Sequence, residues 1–219
     1  MTGLAQHSLT DLVRLWERGW RECRGWPTPE EAGGGLHLLQ EQPHRHREII
    51  ALHDDDTTVS TLAEEAAAAT KPTWVTVPTT RPDEVTRTLQ SASLTPRDTL
   101  EYLMTRPLSG HPTRTPADLY QVTTTRTGPL IKVEVHTDDD WAARGQTSVV
   151  DGYTVPDKIE THPDHRRRGL GTMVMGTLIT EAMADSAHTG ILIASPEGQA
   201  LYTSLGWTTT ATVIIATNT

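Results

Sequence analysis

The sequence predicts a mixed α/β (α+β) fold in which a central mixed sheet is flanked by helices. Three observations carry this. Residues 153–194 read as strand, basic glycine loop, amphipathic helix and short apolar strand. The order of elements ahead of residue 110 resembles the order beyond residue 115, as in an internal repeat. The 219 residues, 36% hydrophobic and 21% charged, can bury one good core or two small domains that share one.

In chain order, residues 8–24 predict a helix. Ser8 and Asp11 have the spacing of a capping box, and Leu9, Leu12, Val13, Trp16, Trp20 and Cys23 line one face. Residues 25–35, with Pro27, Pro29 and three successive glycines, predict a loop. Residues 36–39 and 47–52 predict paired strands around a turn at 42–46. Asp54, Asp55 and Asp56 precede a helix over 59–69; a strand at 73–77, a helix over 82–91 and a strand near 100–105 follow. Residues 110–116, with His111, Pro112 and Pro116, make the best linker, so the domains are expected at 1–110 and 115–219.

Beyond the linker, residues 120–125 and 130–135 alternate as a hairpin across Gly128 and Pro129. Asp138, Asp139 and Asp140 turn the chain, and strands are expected over 143–150 and 153–161, with Pro156 marking a bulge or an unpaired stretch. Leu170, Met173, Val174, Thr177, Leu178 and Ala182 then fall on one helical face, followed by the strand 190–194 and a second helix that ends at Gly206. The repeat aligns Leu62–Ala66 with Leu178–Ala182, Val75–Val77 with Ile191–Ile193, and Leu89–Leu94 with Tyr202–Trp207. The amino-terminal copy has Leu89 in place of Tyr202, Ser93 in place of Gly206, and no glycine loop before its first helix. It therefore reads as a degenerate half that scaffolds and does not catalyse. Two βαβ-like units that merely converge on one pattern are the alternative.

Composition narrows the function classes. A net charge of −9 argues against broad nucleic-acid binding and suits a cationic acceptor. Nothing approaches the run of about 18 apolar residues that a membrane helix needs, and no basic segment followed by an apolar core marks a secretory signal; a cytoplasmic protein is expected. Cys23 is the single cysteine, so no internal disulfide forms and no cysteine cluster holds a metal. With no Phe, Trp and Tyr supply the aromatic packing.

The segment Ile159-Glu160-Thr161-His162-Pro163-Asp164-His165-Arg166-Arg167-Arg168-Gly169-Leu170-Gly171-Thr172 organises the rest. Gly169 and Gly171 carry no Cβ and can take positive φ, so successive N–H groups can converge on one anion while the following helix adds the positive end of its dipole. The arginines supply charge and fork geometry. An ordinary basic turn before a helix is the competing interpretation.

In context, the chain resembles the GCN5-related N-acetyltransferase (GNAT) superfamily. Arg166-x-x-Gly169-x-Gly171 resembles the family's acetyl-CoA signature, and Leu201-Tyr202-x-x-x-Gly206-Trp207 resembles its Leu-Tyr-x-x-x-Gly-Phe segment. The resemblance covers residues 115–219 firmly. Ser195, where many members carry Asn, and Trp207, where Phe is usual, depart from the pattern.

The resemblance implies a GNAT fold with a degenerate GNAT-like amino-terminal half, acetyl-CoA as co-substrate and no metal. It further implies acetyl transfer to a primary amine, of a small molecule, by direct attack. Backbone of Ile159 and Thr161 would pair with the pantetheine arm, Arg166, Arg167, Arg168, Gly169, Leu170, Gly171 and Thr172 would cradle the pyrophosphate, and Ser195 would lie beside the cofactor. Tyr202 would be the acid for the departing thiolate, with an amphipathic core tyrosine as the alternative. The base would be Glu160, unless Glu160 merely faces solvent; His162, an imidazole suited to taking a proton, is the other candidate, or a turn residue. His44 with His46, and His162 with Asp164 and His165, read as solvated loops rather than metal clusters. No nucleic acid or membrane partner is expected, and a homodimer is compatible. A CoA-binding regulatory or scaffold module without activity is the alternative function.

Overall fold

In the computed structural model, which describes residues 7–138 and 140–219, the chain builds one continuous sheet with a helix layer on each face. Asp139 and residues 1–6, on which the turn at 138–140 and the absent signal partly rest, lie outside the described residues. Helix α1 (Leu9–Arg24) begins as its sequence predicts. The Ser8 side chain accepts from the Asp11 N–H, the Asp11 carboxylate accepts from the Ser8 N–H, and left-handed Gly25 ends the helix. Its apolar face, led by Trp16 and Trp20 stacked at 4.9 Å, lies on the sheet. At Gly19 a Cβ would come within 2.3 Å of Val155 Cγ2, so only glycine permits that approach.

The amino-terminal half continues with strands β1 (Glu30–Ala32), β2 (Gly35–Gln42) and β3 (Arg45–Ala51), helix α2 (Asp56–Ala68), strand β4 (Thr73–Thr79), helix α3 (Pro82–Ser91), and strands β5 (Thr95–Pro96) and β6 (Glu101–Pro107). The other half holds β7 (Gln121–Thr127), β8 (Leu130–His136), β9 (Trp141–Val150), β10 (Tyr153–Thr154), β11 (Asp157–Thr161), a 3₁₀ turn (Pro163–His165), α4 (Leu170–Ala184), β12 (Thr189–Ala194), α5 (Pro196–Ser204) and β13 (Thr208–Thr217). Helix α2 starts three residues earlier than its apolar pattern, because the Asp55 side chain caps it by accepting from the Thr58 N–H. The glycine-rich loop ends in a short hairpin, β1 against β2. Strand β13 has no counterpart in the sequence reading.

The strand order is β1-β2-β3-β4-β13-β6-β12-β10-β9-β8-β7. Each half contributes a parallel pair joined through a helix, β3 with β4 and β10 with β12, since parallel neighbours need a crossover connection. The halves then exchange strands. β13, the last strand of the second half, pairs with β4 of the first, and β6, the last of the first half, pairs with β12 of the second; β6 and β13 run antiparallel in the middle. Residues 108–120 contain neither helix nor strand, yet the segments on either side of the linker interleave.

Alternation along the two central strands divides the core. Leu103, Val213 and Ile215 join Trp16 and Trp20 under α1, whereas Ile214 and Ala216 pack with α2 and α3 and Met104 packs with α4 and α5. The repeat is thus structural: Leu62 and Ala66 of α2, and Leu178 and Ala182 of α4, are buried at equivalent places against the same face.

Candidate active site

The site starts from a failure of pairing. β10 and β12 pair only through Tyr153 with Thr189 and Thr154 with Gly190. Pro156 has no N–H to continue the ladder, and a bulge between Asp157 and Glu160, with Lys158 at φ +52°, keeps β11 on β9. β12 stays on β6, so a gap opens between β11 and β12. The His162 N–H donates to Ala142 O at 2.9 Å. Since strand N–H groups alternate in direction, that of Glu160 also faces β9, and those of Ile159 and Thr161 face the gap.

At the end of β11 the chain makes its 3₁₀ turn, capped by His162 Nδ1, which accepts from the Asp164 N–H. Arg167 (φ +63°) and Gly169 (φ +79°) are left-handed on either side of Arg168, the alternation that turns successive amides toward one point. Helix α4 follows with Gly169 at its N-cap and no side chain capping it. Among the described residues the N–H groups of Arg167, Arg168 and Gly169 meet no acceptor. Uncapped amides and guanidinium groups suit a pyrophosphate, so the donor set fits CoA.

A cavity of about 1130 Å³ runs from this loop through the gap to the α1 face. Of the residues the sequence singles out, it brings together Ile159, Glu160, Thr161, Arg166, Arg167, Gly171, Ser195 and Tyr202. Arg168, Gly169 and Leu170 instead border a separate pocket of about 290 Å³ with Arg114 and Tyr120, and Arg168 donates to the Tyr120 hydroxyl at 3.1 Å. Thr172 sits in the first turn of α4 but off the lining. Ser195 caps α5, its Oγ accepting from the Gly198 N–H at 3.2 Å, which leaves its hydroxyl proton to donate.

Tyr202 is buried beside Trp207. Burial first, and then the charge of Asp157, hold its phenol well above the usual range, so the proton is retained, and its hydroxyl has no hydrogen bond among the described residues. Glu160 is placed differently from a free base. Arg144 Nε and Nη2 donate to its Oε2 at 2.8 and 2.6 Å, with its side chain 44% exposed. His162 is off the cavity lining and serves the turn. Cys23 is buried, its thiol pushed up to about 12 chiefly by desolvation, which suits packing and not nucleophilic attack. Among the described residues no three His, Cys, Asp or Glu side chains gather as a metal site.

Sequence reasoning missed the other end of the cavity. Trp16 and Trp20 of α1, Glu48 of β3, Thr76 of β4, Glu101 of β6 and Ile215 of β13 line it, so residues of both halves wall one cavity. A glutamate in the apolar run of β3 was the available signal: Glu48 is 1% exposed, receiving bonds from Gln40 Nε2 (2.6 Å) and Thr76 Oγ1 (2.7 Å) beside Arg45.

Splayed strands, a bulge at the splay and an uncapped glycine loop define the acetyltransferase fold of the GNAT type. Residues 103–207 match the family model described as Acetyltransferase (GNAT) family, and this part of the chain is a GNAT domain. No curated protein sequence matches. Among solved structures, a GCN5-related N-acetyltransferase from Kribbella flavida is similar over 99% of this chain and 96% of its own, with a TM-score of 0.71 and 14% identity. A tandem GNAT protein from the clavulanic acid biosynthesis pathway aligns over 85% of this chain and 80% of its own (TM-score 0.60, 12% identity). A GCN5-related N-acetyltransferase from Sphaerobacter thermophilus aligns over 84% and 76% (TM-score 0.59, 8% identity). At these identities the likeness is one of fold, and it extends across the amino-terminal half. No helix of the described residues is long and apolar enough to cross a membrane.

Proposed function

We propose that the protein transfers an acetyl group from acetyl-CoA to the primary amine of a small molecule by direct attack. The observation that carries this is the continuity of one cavity from the phosphate loop, through the strand gap and past Tyr202, to the α1 face. Arg166, Arg167 and the amides around Gly169 and Gly171 hold the pyrophosphate. The gap-facing amides of Ile159 and Thr161 pair with the pantetheine arm as an added strand would, which aligns the thioester carbonyl toward backbone N–H groups. Acetyl-CoA then supplies the activated acyl carbon. Tyr202 donates its hydroxyl proton in a hydrogen bond to the departing sulfur; its raised pKa keeps that proton in place until negative charge develops there.

Because the cavity reaches a second, partly apolar end, donor and acceptor can meet in the gap, which favours an enzyme over a CoA-binding module. The test is thiol release from acetyl-CoA with a panel of small amines, alongside calorimetry with CoA. CoA binding with acceptor-dependent thiol release supports the proposal. Binding without release for any amine supports the module, and no binding removes both.

A further inference from the structure

The α1 face of the cavity joins two kinds of surface. Trp16 and Trp20 are stacked on one side, Ile193 and Ile215 close the floor, and the carboxylates of Glu48, Glu101 and Asp157 stand at the margin. Two of these carboxylates are already engaged. Glu48 is held by Gln40, Thr76 and Arg45; Asp157 accepts from Arg24 Nε and Nη2 at 2.6 and 2.7 Å and from Gln146 at 2.9 Å. Glu160, nearer the thioester strand, is held by Arg144. Glu101 differs: among the described residues it receives no hydrogen bond, and its ion-pair partner, Arg97 Nη1, stands 3.6 Å away with its side chain 43% exposed.

Strand exchange puts Glu101 at this place. Tyr102 is paired with Ala194 and with Thr212, and Glu101 with Val213, so Glu101 stands one residue beyond the end of β12, near Ser195 where the gap opens. Leu103, two residues on, packs under α1, which puts Glu101 on the same face of the sheet and Tyr202, clustered with Tyr102 and Met104, on the opposite one. A proton acceptor and a proton donor therefore flank the gap from its two sides.

We infer that the acceptor is an amine carried on an apolar, ring-bearing body that packs against Trp16 and Trp20, and that Glu101 takes the proton its ammonium group must lose before attack. The inference rests on the acetyl-transfer reading above. An ammonium has no free pair with which to attack a carbonyl carbon; loss of one proton to the Glu101 carboxylate supplies it. The C–N bond forms, the C–S bond breaks, and the nitrogen sheds its second proton as the amide is made. Sulfur leaves as the thiol with one proton, so the net reaction releases one proton to solvent through Glu101. The indoles pack the apolar body; the Arg24 guanidinium already lies over Trp20, 5.7 Å from its centroid, which leaves the ammonium group to Glu101. Burial raises the pKa of Glu101, and Arg97 and Arg45 oppose that rise while Glu48 reinforces it, which makes the carboxylate more basic than a solvated one. Arg24, Asp157 and Lys158 also line this end of the cavity, and together these groups set the local field.

The experiment is steady-state kinetics of wild type, Glu101→Gln and Glu101→Asp across pH with acetyl-CoA and three probe amines, phenylethylamine, butylamine and putrescine, with acetyl-CoA affinity measured by calorimetry. Phenylethylamine should be the best of the three in kcat/KM. Glu101→Gln should lose at least tenfold in kcat/KM for it at neutral pH and lose the acid limb of the profile, while Glu101→Asp recovers part of the rate and keeps that limb. Acetyl-CoA affinity should stay within about twofold. An unchanged acid limb in Glu101→Gln, putrescine as the preferred amine, or no turnover with any of the three overturns the inference. Failure of wild type to bind acetyl-CoA overturns the acetyl-transfer reading instead.

Discussion

Ser93 and Gly206 hold one position in two copies of the same helix ending. Both are left-handed, at φ +66° and +82°. The Ser93 N–H donates to Gln90 O and the Gly206 N–H to Thr203 O; the next residues repeat the agreement, Leu94 N–H to Leu89 O at 3.1 Å and Trp207 N–H to Tyr202 O at 3.0 Å. Backbone geometry thus preserves the repeat where side chains have diverged.

That shared geometry is strained only in the amino-terminal copy, since a Cβ disfavours left-handed backbone by roughly 1–2 kcal/mol. Ser93→Gly should therefore raise stability by about 0.5–1 kcal/mol after the greater entropy of glycine in the unfolded chain is offset. Gly206→Ser should lower it by a similar amount; the atom nearest a Cβ at residue 206, Arg106 Nη1, ends a flexible side chain that can move aside. Urea unfolding of both variants reads the two signs.

A second prediction concerns stoichiometry. The helix equivalent to α4 begins at Asp55, whose carboxylate occupies the first-turn amides, and the Asp54 carboxylate accepts from Thr79 Oγ1 at 2.7 Å. Negative charge fills the place where the other half leaves amides open. Calorimetry should find one CoA per chain. Gly171→Val, which puts a branched side chain against Leu201 Cδ2, 3.1 Å from the new Cβ, should weaken that one site at least tenfold, on the order of 1.4 kcal/mol; a stoichiometry of two would contradict the closed amino-terminal site.

Tyr202→Phe keeps the ring against Trp207 and removes only the hydroxyl. CoA affinity should be unchanged and kcat should fall by roughly 10²-fold, with little change in the KM for acetyl-CoA. Equal kcat in wild type and variant would assign Tyr202 to packing alone.

The exchanged strands make a fragment test decisive. Residues 115–219 expressed alone lack β6, which leaves the pairing edges of both β12 and β13 bare. The fragment should show no cooperative thermal transition and should aggregate. A soluble monomer with a sharp transition would mean that the carboxy-terminal half closes its sheet without its partner.

How much the sequence revealed depended on how local each signal is. The Ser8–Asp11 cap, the hairpin across Gly128 and the break at Pro156 are settled by neighbours within a few residues, and all three are present. The glycine loop ahead of α4 was legible for the same reason, with Arg167 to Thr172 containing both the glycines and the helix start. β13 was not read, although Val213–Ala216 is an apolar run of strand length; in a strand buried on both faces such a run has no alternation to announce it. Glu101 was illegible in a deeper sense. Nothing within ten residues distinguishes it from a surface glutamate, and its place beside the gap arises only when strands from the two halves interleave.

That interleaving imposes an order on biosynthesis. When residues 1–110 have left the ribosome, β6 has no partner on either side and β4 has one bare side; both await β12 and β13, and Val77 must find Ile214 across more than half the chain. Such distant pairings close slowly, and meanwhile an apolar strand edge is open to misassembly with other nascent chains. Once β13 seats, it bridges β4 and β6 at the same moment, so the two halves acquire their native state in one event and should melt as one cooperative unit, with no temperature at which one end of the cavity survives the loss of the other.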